Sequence, residues 1–117
     1  MTTTDFPTRH HDLTRSFKDL HGALPGPMRG FADLHRAALA DGALSAKHKE
    51  LMALAISIAV RCEGCVGFHV HDALRAGASR PEIEEAIGVA ILMAGGPGAV
   101  YGADAHEALA QFEAERG

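Results

Sequence analysis

Apolar residues recur along this chain at three- and four-residue intervals, and each run ends at a glycine, a proline or a capping side chain. Leu13, Phe17, Leu20 and Leu24 keep this spacing and predict an amphipathic helix over residues 9–23, stopped by Pro25-Gly26-Pro27. Residues 1–8 carry no such pattern and read as a loose tail. A second helix is expected over residues 28–40, with Phe31, Leu34, Ala38 and also His35 on one face, ending at Asp41-Gly42. These two helices should form a cover, or an arm facing a partner, for the helices that follow.

Ser45 is a good N-cap for a third helix, expected over residues 47–60 and apolar on nearly every side from Leu51 to Val60. Such a helix needs cover all round. It is expected at the centre of the domain, with a subunit interface completing the cover. A tight turn near residues 60–63 leads to a fourth helix that starts at Cys62 or Cys65, runs to residue 76 and stops at Gly77. Ser79-Arg80-Pro81-Glu82 then has the form of a capping box opening a fifth helix, which runs to Ala94 and breaks at Gly95-Gly96-Pro97. Tyr101, Ala105, Ala108, Leu109 and Phe112 mark a last helix, from residue 97 or 98 to 115. No segment alternates with period two. The prediction is therefore all-α: one helical-bundle domain of about six helices spanning residues 1–117.

With 117 residues, 47% of them hydrophobic, the chain can build one core without staples. Aromatic residues make up only 5% and tryptophan is absent, so that core must come from Ala, Leu, Ile, Val and Met. A net charge of −4 argues against binding nucleic acid through a basic face. Neither membrane spanning nor secretion is expected, because the longest apolar run (residues 51–60) is short and the N-terminus lacks a basic-then-apolar leader. A cytoplasmic location is expected, and in that reducing compartment paired cysteines point to redox or metal chemistry rather than a staple.

The two cysteines, Cys62 and Cys65, form a CxxC, and His69 follows the second by four residues. At the start of a helix this spacing sets both sulfurs close enough to form a disulfide or share a metal, where the helix N-terminus favours thiolate. His69 shares a helical face with Cys65 and can take its proton. Along one continuous helix Glu50 would lie roughly 18 Å from Cys62. If the chain reverses near residue 61, however, Glu50 and His69 come level to within roughly 4 to 5 Å along antiparallel axes. Cys62 is favoured as nucleophile by the helix terminus and Cys65 by His69. A zinc site is disfavoured, since Cys62, Cys65 and His69 give three ligands and no second CxxC exists. Inert core thiols are the bland alternative. His71 lies about 200° round the helix from His69 and should face away, toward another subunit. Asp72 is placed to orient the His69 ring but reads as a solvated surface carboxylate. The remaining histidines, His10, His11, His21, His35, His48 and His106, read mostly as surface residues.

The run Glu50-x11-Cys62-x2-Cys65-x3-His69 in a small helical chain resembles the AhpD-like alkylhydroperoxidase family, within the carboxymuconolactone decarboxylase superfamily. About residues 28–112 fit, including the Gly77 stop and the Gly96-Pro97 break. The resemblance implies a homo-oligomer, trimeric or hexameric, with peroxidase or thiol-disulfide activity and no metal or other cofactor. It implies Cys65 as the peroxidatic thiol, Cys62 as the resolving one, and Glu50 with His69 as a proton relay. The partners it implies are a small peroxide substrate and an external thiol or lipoyl-type reductant. The chain departs from the family at Gly64, where well-known members carry a histidine. The superfamily's lactone decarboxylases lack the cysteine pair, so their reaction is not implied. A non-catalytic, oligomeric redox-sensing or interaction module is the alternative reading.

Overall fold

The computed structural model describes residues 4–116, and among them are six helices and no strand. They are α1 (Phe6–Ala23), α2 (Pro25–Leu39), α3 (Ala46–Ala59), α4 (Glu63–Arg75), α5 (Arg80–Ala94) and α6 (Gly96–Arg116). The caps follow the sequence closely. Ser45 accepts the His48 N–H at the start of α3, and Ser79 and Glu82 complete a reciprocal capping box on α5. Gly77, just past α4, takes the left-handed φ of +97° that its position requires.

The start of the chain differs from the expected loose tail. Residues 1–3 lie outside the described residues, but Asp5 caps α1 by accepting the Thr8 N–H, and Phe6 is fully buried. Phe6 also donates its backbone N–H to Gln111 Oε1 at 2.7 Å, tying the start of α1 to α6. Gly67 makes the seat for its ring: a Cβ there would stand 3.1 Å from Phe6 Cδ1. A single aromatic residue has no periodicity to betray it, so its burial was invisible to pattern reasoning. The second helix likewise starts at Pro25 rather than after Pro27. Proline lacks only an N–H that a first turn leaves unused, so this one opens a helix instead of closing one.

The core is a single cluster in which Leu54 and Ile58 of α3, Val66 and Val70 of α4, Ile83 of α5 and Leu109 of α6 are fully buried. The third helix packs against α4, α5 and α6. Its opposite side is open in the single chain, where Met52, Ile56 and Val60 are each at least half exposed, so the chain alone covers only part of it. The second helix buries no residue and lies beside α1 and α3 as a cover.

Candidate functional site

Two turns of backbone set the sulfurs. Arg61 adopts a left-handed φ of 60°, uncommon for a side chain of its size, and the Cys62 N–H reaches back to the Ser57 carbonyl at 3.1 Å. That reversal leaves Cys62 as the N-cap of α4, with its Sγ accepting the Cys65 backbone N–H at 3.2 Å. The Cα atoms of Cys62 and Cys65 are 5.2 Å apart and the two sulfurs form a disulfide. When reduced, the same N–H and the unpaired first-turn amides of α4 would favour a thiolate at Cys62.

The same reversal packs α3 against α4 and brings Glu50 to His69, nineteen residues later: Glu50 Oε1 accepts from His69 Nδ1 at 2.7 Å. Glu50 is buried, and a buried carboxylate needs such a partner to offset lost hydration. With Nδ1 fixed on Glu50, Nε2 is the nitrogen left to exchange protons with the dithiol side. Thus all four residues expected at the site, Glu50, Cys62, Cys65 and His69, lie together across the α3–α4 junction.

Cys62, Cys65 and His69 line a cavity of about 310 Å³ whose other walls include Leu13 and Phe17 of α1, Phe31 and His35 of α2, and Phe68. The cover helices therefore make half of the site. The His35 and His69 rings lie 6.5 Å apart and nearly parallel, at 15°. Arg9 also borders the cavity and is the cation on its α1 side. Sequence reasoning placed His35 on the apolar face of α2 but counted it among scattered surface histidines. Its spacing from Phe31, four residues, was the usable signal.

Asp72 and His71 also differ from expectation. Asp72 is buried rather than solvated, accepts from His71 Nδ1 at 2.9 Å, and lies 3.6 Å from Arg75. His71 turns away from the dithiol but stays within the chain: its ring stacks on His10 at 4.1 Å and meets Phe112 of α6 edge-on. Burial and then the neighbouring His71 hold the His10 imidazole below its ordinary pKa. Asp72 joins two groups whose ligand atoms lie within 4.8 Å of one another, Glu50–His69–Asp72 and His10–His71–Asp72. Neither includes a cysteine.

A model of the carboxymuconolactone decarboxylase family matches residues 25–108. An uncharacterised protein of Cupriavidus necator is 43% identical over 112 residues, 96% of each chain. A second uncharacterised protein, from the cox locus of Paracoccus denitrificans, is 42% identical over 71% of this chain and 72% of its own. Among solved structures, a carboxymuconolactone decarboxylase family protein from Legionella pneumophila superposes with a TM-score of 0.88 at 40% identity, covering 92% of this chain and 96% of that one. Another, from Thermotoga maritima, gives 0.74 at 27% identity, covering 86% and 92%; a part in an antioxidative response has been suggested for that protein.

Proposed function

The chain belongs to the carboxymuconolactone decarboxylase family, and on that footing we propose that it is an AhpD-like thiol oxidoreductase reducing an alkyl hydroperoxide by a Cys62–Cys65 disulfide cycle. One observation carries the reading: a vicinal sulfur pair borders one cavity with the imidazole of His69, which a buried carboxylate from a different helix, Glu50, holds by its Nδ1. Inert core thiols would need neither the partnered Glu50 nor an opening.

In the proposed cycle His69, oriented by Glu50, takes the Cys65 proton. The thiolate then attacks the terminal peroxide oxygen, so an S–O bond forms as the O–O bond breaks. Sulfur is oxidised to sulfenic acid and the alkoxide leaves as alcohol once protonated. Cys62 thiolate attacks that sulfur, forming the disulfide and releasing hydroxide, which is protonated to water. An external thiol or lipoyl-type dithiol returns two electrons and two protons by exchange. A reducing cytoplasm would keep such a donor available. The placement of Cys62 at the helix cap suits a resolving thiolate, while its neighbour is served by the imidazole.

The test is single-turnover peroxide reduction by the reduced protein. Cys65→Ser should abolish it, and Cys62→Ser should halt at a sulfenic acid detectable by trapping. Undiminished peroxide consumption by Cys65→Ser would sink the scheme. The exposed apolar side chains Ile56, Leu92 and Met93 favour one companion reading, that the working unit is a homo-oligomer, trimeric or hexameric, with these faces covered. An oligomeric redox-sensing module with the same faces would instead show slow, stoichiometric oxidation and no turnover.

A further inference from the structure

The sulfur chemistry has two proton demands of opposite sense, and His69 meets only one of them at a time. A thiol must lose its proton to attack, and the departing alkoxide must gain one as the O–O bond breaks. Within the CxxC loop, Glu63 accepts from the Thr4 hydroxyl at 3.2 Å and lies outside the lining of the cavity. Position 64 is glycine, and a Cβ there would stand 3.0 Å from Leu13 Cδ1, so α1 occupies the space a longer residue would need. A second imidazole reaches the cavity from elsewhere in the chain: His35 of α2 lines it with both cysteines, its ring centroid 6.5 Å from that of Phe31 and 6.5 Å from that of His69.

We propose that His35 is a catalytic residue of the peroxide step, the general acid that protonates the leaving alkoxide while the Glu50–His69 pair serves as base to Cys65. The proposal rests on the thiol peroxidase reading above. The step balances as Cys65–S⁻ plus ROOH plus the His35 proton giving Cys65–SOH plus ROH, and neutral His35 then recovers a proton from solvent. His35 suits this because it is exposed and can exchange protons with water, whereas His69 is held on a buried carboxylate. The charged and titratable groups facing it are His69 of α4 backed by Glu50 of α3, Arg9 of α1, and, along the adjoining α1–α2 groove, Lys18, His21 and its own neighbour Arg36.

The experiment compares two reactions of the reduced protein and its His35→Gln variant across pH. Alkylation of Cys65 by iodoacetamide needs thiolate but no proton donor, since iodide leaves unaided. Oxidation by tert-butyl hydroperoxide needs both. We expect His35→Gln to slow the hydroperoxide reaction by about 100-fold, the lower end of general acid catalysis, and to abolish its alkaline limb, with alkylation essentially unchanged. The loss should shrink to a few-fold with peracetic acid, whose acetate leaving group needs no proton. Added imidazole should partly restore His35→Ala. Equal losses with both oxidants and in alkylation would mean a structural role and overturn the proposal, as would an unchanged hydroperoxide rate. A wild-type protein inert to both oxidants overturns the peroxide reading itself and takes this role with it.

Discussion

Glu50 and Asp72 are both buried carboxylates within a few ångströms of His69, yet the chain treats them differently. Glu50 is spent on His69, whereas Asp72 accepts from His71, whose ring in turn stacks on His10. Spacing along α4 nominates Asp72 as the orienter of His69 and the rise of α3 nominates Glu50, and only their positions decide between them. His10 gives a residue-scale prediction. Its folded pKa lies below the ordinary 6.5, so the unfolded chain binds a proton first on acidification. Its contribution to stability is present above pH 6.5 and is lost as pH falls through the lower folded value. Denaturant midpoints measured at pH 7.5 and pH 5 should therefore fall more for the wild type than for His10→Phe, which keeps the ring contacts with Phe68 and His71 but cannot titrate. An equal fall would remove His10 from the account.

At the scale of elements, α1 ties core to site. Phe6 anchors its first turn beneath α4 and α6, while Leu13 and Phe17, further along the same helix, wall the dithiol cavity. Truncating the anchor should therefore do two things. Phe6→Ala should lower unfolding free energy by about 3 to 5 kcal/mol, the usual range for a buried phenylalanine. Cys65 alkylation should also lose dependence on reagent size as the cavity wall loosens, which a series of maleimides of increasing bulk can read. Stability loss without that change would mean α1 holds its place through its later residues. Most element boundaries were legible because they are local chemistry: Ser45, Ser79 with Glu82, and Gly77 act within one turn of their own backbone. The two errors of extent, at Phe6 and Pro25, have different causes. At Phe6 the residue's fate depended on Gly67 and Gln111, far along the chain, whereas at Pro25 the proline could either stop a helix or open one and took the first-turn role.

For the whole molecule, the uncovered apolar side chains set an expectation about assembly. Ile56 on α3, Val60 at its C-cap, and Leu92 and Met93 on α5 would expose an unusual amount of large aliphatic surface for a monomer. Sedimentation of the wild type should give a mass several times that of one chain, and Leu92→Glu should dissociate it. A monomeric wild type would refute the covered-face reading without touching the dithiol chemistry. What the amino-acid order determined alone was the set of helices and the CxxC at a helix start, because hydrophobic period, caps and breaks act over a few residues. It also limited where Glu50 could meet His69, through the fixed rise of a helix. Tertiary structure alone decided that α1 and α2 are a cover walling the sulfurs rather than an arm facing a partner, that His35 lies beside His69, and that Asp72 is buried. Those are meetings between residues distant in the chain, set by how whole helices pack, and no local pattern encodes them.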